Sequence, residues 1–85
     1  MSYNPNSEQW VGIDVNKHHI DIYLRPAGKI FQFPNNSTGR VELLSKLKTY
    51  TIELILVGST GGVERPVLES LTQAGLPTLK VKGSL

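Results

Sequence analysis

The 85 residues predict an α/β domain built on a mixed five-stranded sheet, with elements in the order β-β-β-α-β-α-β. Three observations carry that expectation. Three β-rich segments come first, joined by loops of three residues, which leaves only an antiparallel meander. Leucines at helical spacing come next. Then a run of apolar residues that does not alternate, Leu54 to Val57, leads through a glycine-rich connection into a second helical stretch and a short β-rich end.

The first strand is expected over Trp10–Val15, with Val11, Ile13 and Val15 on one face and Trp10, Gly12 and Asp14 on the other. Asn16, Lys17 and His18 form a hairpin loop into the second, His19–Arg25, where Ile20, Ile22 and Leu24 share a side. Pro26, Ala27 and Gly28 turn the chain into the third, Lys29–Phe33, with Phe31 and Phe33 on one face. Asn36 or Ser37 can offer a side-chain oxygen to the free amides of a helix start. That helix is expected over Gly39–Thr49, burying Val41, Leu44 and Leu47 with Leu43 and Tyr50 beside them, and pairing Glu42 with Lys46. Glu53–Val57 reads as a fully buried strand. The second helix is expected over Val63–Ala74. Pro66 falls in its first turn, where a missing N–H costs least, and Gly75, Leu76 and Pro77 end it. Thr78–Val81 closes the sheet. A right-handed crossover makes the fourth strand parallel to the first, and the strand order becomes 3-2-1-4-5. This pattern matches the ribonuclease-H-like fold, a match that carries no chemistry by itself.

Residues 1–8 lack periodicity and read as a flexible leader. The rest is one domain, small enough for its stability to be marginal. No cysteine is present, which fits a reducing compartment, and the cytoplasm is the expected location. No apolar run is long enough to span a membrane, and no secretory signal opens the chain. A net charge of +2 permits contact with nucleic acid without arguing for it, and no basic run is visible.

Asp14 is the leading candidate for chemistry, because it ends the strand expected at the centre of the sheet. A carboxylate there can hold a hard divalent cation such as Mg²⁺. Taken locally, the more ordinary role is to cap the hairpin loop by accepting from the Asn16 or Lys17 amide. Two-metal phosphoryl chemistry needs several carboxylates, and the end of the neighbouring parallel strand holds Gly58. Glu53 sits at the wrong end of that strand, and Asp21 reads as a solvated strand residue. Glu64 reads as a carboxylate favouring a helix N-terminus. His18 and His19 point to opposite faces and do not make a metal pair. Ser59 and Thr60 have no His–Asp partnership for nucleophilic catalysis. Gly61 and Gly62 could present amides to a phosphate, although a tight β-to-α turn is the plainer reading because the P-loop lysine is missing.

Four segments occur in order: Val11-Gly12-Ile13-Asp14-Val15-Asn16-Lys17; Phe33-Pro34-Asn35-Asn36 with Gly39; Ser59-Thr60-Gly61-Gly62-Val63-Glu64-Arg65-Pro66; and Ala74-Gly75-Leu76-Pro77. Together they resemble the N-terminal RuvC-like domain of the DEDD transposases, the bridge-RNA-guided insertion-sequence recombinases related to Piv-type DNA invertases. The likeness spans about Trp10 to Val81. Gly-Ile-Asp-Val alone is weak, since sugar kinases share it; the combination is specific. It implies metal-dependent cleavage and rejoining of DNA, with Mg²⁺ as cofactor and DNA and a guide RNA as partners.

The same resemblance makes Asp14 the first of the family's four acids and puts Gly58 where the family has its second. The remaining two fall beyond residue 85. It also makes Lys17, Thr60, Gly61, Gly62 and Arg65 the candidates for contact with nucleic acid or phosphate. The expectation is a domain truncated before the family's later helices, inactive alone, holding no Mg²⁺ tightly, and free to form a homodimer or to join a full-length transposase. An apolar sheet face carrying Trp10 and the phenylalanines would then lie open. Two other functions stay open: a small dimerisation or nucleic-acid interaction module, and half of an actin-like sugar kinase.

Overall fold

The computed structural model describes residues 8–83 and 85. Its elements are β1 (Glu8–Val15), β2 (His19–Arg25), β3 (Lys29–Pro34), α1 (Ser37–Leu47), β4 (Thr51–Ser59), α2 (Arg65–Gln73) and β5 (Thr78–Lys80). The sheet runs β3-β2-β1-β4-β5, with β1 antiparallel to β2, β2 antiparallel to β3, and β4 parallel to both β1 and β5. This is the α/β fold and strand order that the sequence predicts. The leader expected over residues 1–8 lies outside the described residues except for Glu8, which opens β1. Among the described residues, no helix is long and apolar enough to cross a membrane.

Alternation divides the sheet into two unlike faces. Val11, Ile13 and Val15 of β1, Ile20, Ile22 and Leu24 of β2, and Ile55 and Val57 of β4 are all buried on one of them. Leu43 and Leu47 of α1 and Val67 and Leu71 of α2 join them in a single core, so both helices cover the same side. Phe31 and Phe33 pair with Ile22 and Ile20 and pack against this core. They therefore lie across the sheet from Trp10, contrary to the expectation of one shared face. Lys46 lays its ammonium over the Phe31 ring, 4.9 Å from the centroid, in place of the expected pairing with Glu42.

Helix boundaries follow their caps. Asn36 caps α1, its side chain accepting from the Gly39 amide at 2.8 Å, so the helix starts two residues earlier than its leucine pattern suggests. Its buried residues are Gly39, Leu43 and Leu47, whereas Val41 is 63% exposed. The rotation comes from Gly39, which lies against the Pro34 backbone and turns Leu43 and Leu47 inward. In α2 the helix begins at Arg65, with Pro66 in its first turn. It ends on Gly75 at φ 75°, where the Gly75 amide bonds Thr72 O and the Leu76 amide bonds Leu71 O.

Candidate functional site

The uncovered face of the sheet carries two parallel rows set by register. The row at the carboxyl ends of β1 and β4 reads Gln32, Asp21, Asp14, Gly58 across β3, β2, β1 and β4. The row beside it reads Ile30, Tyr23, Gly12, Leu56, Leu79 across all five strands. The first row is polar and the second apolar, and Trp10 lies beyond the second on β1.

Asp14 sits where the sequence places it, at the end of the central strand on the face away from the core. Its Oδ1 is buried and has no hydrogen-bond partner among the described residues. The loop-capping role belongs to Asn16 instead, whose Oδ1 accepts from the His18 and His19 amides at 3.0 and 2.9 Å. A carboxylate oxygen left out of the loop and out of the solvent is the one atom of this row that calls for a donor or a cation.

Asp21 stands directly across from Asp14. Sequence reasoning set Asp21 aside. A three-residue loop at Asn16–His18 would set Ile20 across from Asp14; the observed register, Val15 with Ile20, is one residue different and brings in Asp21. The available signal was that Asp14 and Asp21 each alternate with the buried residues of their strands. Asp21 is spoken for on its other side: Gln32 Nε2 donates to its Oδ1 at 2.8 Å, and His19 Nε2 lies 3.8 Å from its Oδ2. His18 is exposed in the loop. Glu53 lies at the far end of β4 beside Glu8, whose hydrogen bond and negative charge raise its pKa above the ordinary carboxylate value.

Gly58 is buried across from Asp14 on β4. The chain that follows β5 passes over it. A Cβ on Gly58 would lie 2.6 Å from the Gly83 carbonyl oxygen and 3.1 Å from both the Leu85 nitrogen and Val81 Cγ2. The position facing Asp14 thus lacks a carboxylate and is filled by backbone.

Glu64 is the functional-looking side chain whose role the sequence missed. It is buried on the helix side of the sheet, and it makes no side-chain cap to α2. Its Oε2 accepts from Ser59 Oγ at 2.9 Å, and its Oε1 takes the Lys80 ammonium at 3.0 Å. A hydrogen bond from its own backbone amide, then those from Lys80 and Ser59, hold its pKa down to about 2. Lys80 reaches it because it pairs with Val57 and so shares the helix face, a register no local pattern reveals.

The candidates for phosphate contact are spread out. Lys17 is exposed in the β1–β2 loop, and Thr60, Gly61 and Gly62 are exposed just after β4, so both loops sit at the same end of the sheet. The Thr60 amide is already bonded to Val15 O at 3.1 Å. Gly61 and Gly62 have φ of 78° and 71°, which makes this connection a glycine turn. Arg65 lies apart, exposed at the start of α2, in a cleft shared with Glu64, Leu68 and Lys80.

The donors around Asp14 do not fit a Mg²⁺ ion of the two-metal type. Among the described residues no three of His, Cys, Asp or Glu gather, and the position facing Asp14 holds glycine under a carbonyl. In comparisons with known proteins, no family model and no curated sequence matches this chain.

Proposed function

We propose that the chain is the sheet of a ribonuclease-H-like DNA transposase domain that keeps the first acidic position at Asp14 and has lost strand chemistry of its own. The observation that carries the reading is the register Asp14↔Gly58: the carboxyl end of the central strand faces the end of its parallel neighbour, where this chemistry needs a second acid. The strand order and the segments around Asp14, Ser59 to Pro66 and Ala74 to Pro77 support it. In this reading DNA, a guide RNA and Mg²⁺ belong to the intact family. This chain acts by association with itself or with a full-length transposase, in the cytoplasm. With a net charge of +2, its own hold on DNA is weak at physiological salt. The kinase alternative loses ground at Asn16, whose carboxamide is engaged within the loop rather than presented to a phosphate.

An amide-resolved titration with Mn²⁺ tests the reading. Gly58→Glu should gain paramagnetic broadening around Asp14, and Gly58→Gln should not. Because a side chain at 58 must move Val81, Gly83 and Leu85 aside, both variants are also made in a chain lacking residues 82–85. A folded Gly58→Glu protein that stays silent in both backgrounds would defeat the proposal.

A second reading, an association module, is favoured by a different observation. Trp10, Ile30 and Leu79 are 54%, 70% and 54% exposed on the uncovered face, and Tyr23 lies exposed between them. Sedimentation that becomes concentration-dependent in the wild type and not in Trp10→Asp supports this reading; a monomer throughout removes it.

A further inference from the structure

We infer that the segment of Val81, Lys82, Gly83 and Leu85 acts as an openable strap, seated in a groove that two glycines create on the uncovered face, and that this strap closes the ground beside Asp14. The path of the segment is set by its contacts. The Val81 amide bonds Val57 O at 2.8 Å, and Gly83 O accepts from the Ser59 amide at 2.9 Å. Leu85 then reaches β1, lying among Trp10, Gly12, Tyr23 and Leu56. The segment thus leaves the sheet edge, crosses β4 at Gly58 and arrives over β1 at Gly12.

Glycine supplies space at both crossings, not a special backbone angle, and only at Gly58 is it required. At Gly12 a Cβ would meet Leu85 Cδ1 at 3.3 Å, a flexible side chain that can yield. At Gly58 it would meet the Gly83 carbonyl oxygen at 2.6 Å, and that is backbone. Any residue larger than glycine at 58 therefore excludes the strap, and the strap in place excludes any ligand from the side of the sheet next to Asp14. Position 58 chooses between the two.

The strap is built to open. It leaves a strand of three residues, only two backbone bonds among the described residues hold it (Val81 to Val57 and Ser59 to Gly83), and Leu85 stays half exposed. Segments with so few buried contacts open at free energies far below global unfolding. The inference does not depend on the transposase reading, since it rests on the contacts of Val81, Gly83 and Leu85 alone.

Hydrogen exchange at the Ser59 amide is the direct measurement, with the β1–β2 ladder amides as the control for folding. Leu85→Asp, Gly58→Ala and the chain lacking residues 82–85 should each speed exchange at Ser59 by about tenfold or more, with the ladder unchanged. Trp10 is the only tryptophan, and its quenching by acrylamide should rise in the same three proteins. Gly58→Ala should lower Tm in the full chain and leave it unchanged in the shortened one. Ser59 exchange identical in the full and shortened chains would overturn the strap. Equal damage by Gly58→Ala in both backgrounds would overturn the role given to the glycine.

Discussion

The two faces of the sheet are made by the same strands and solve opposite problems. On the helix side, twelve buried apolar residues from β1, β2, β4, α1 and α2 form one continuous core. On the other side, the residues in between are an orphaned carboxylate, two glycines and large apolar groups left in contact with water. The covered face holds the domain together. The open face carries Asp14 and the exposed apolar row, whereas Glu64 with Ser59 and Lys80 stays on the covered side. Alternation allows both at once, because each strand contributes every second residue to each.

This division can be broken most severely from the covered side. Ile22→Ala, at 0% exposure, should cost about 2–5 kcal/mol in denaturant unfolding, enough to unfold much of a domain this small. Leu43→Ala should cost a similar amount, and Val41→Ala two residues away less than about 0.5 kcal/mol; equal losses would mean that α1 presents a different face.

Glu64 gives the next effect, read as a pH dependence. Its folded pKa of about 2 lies below the unfolded value of 4.5, so its stabilisation is complete above 4.5 and is lost as pH falls toward 2. Glu64→Gln should flatten the acid limb of Tm against pH within that window and leave the rest of the profile parallel. Asn36→Ala removes the α1 cap and should cost about 1 kcal/mol. The smallest change belongs to the open face, where Trp10→Asp should shift stability by no more than about 0.5 kcal/mol while changing association.

Much of the fold was legible because loop length dictates strand direction. Loops of three residues allowed only a meander, and the helix between Phe33 and Glu53 allowed a parallel return, so the strand order followed. Asp14 was legible for the same reason, as the last outward-facing residue of a central strand. What escaped were side-chain pairings between distant segments. Glu64 finds Lys80 only once β5 is paired with β4, and Gly58 is covered by Val81, Gly83 and Leu85, which come 23 to 27 positions later. Phe31 and Trp10 could not be assigned to faces from their own strands, because alternation fixes which residues share a side within a strand and leaves its relation to other strands to the register. Val41 misled because three-residue spacing with Leu44 and Leu47 fits a stripe nearly as well as Leu43 and Leu47 do, and only the close approach of Gly39 to Pro34 decides between them.

The position of β1 also has a consequence for how the chain is made. Of the five strands of this sheet the central one is made first, and one of its edges is satisfied at once by the hairpin with β2. Its other edge stays without a partner until α1 has been synthesised and β4 has followed it. Hairpins close in microseconds, whereas parallel pairing must first bear the entropy of a long crossover. The nascent meander therefore presents an unpaired edge for the whole synthesis of α1, and β4 is the strand whose arrival ends that exposure.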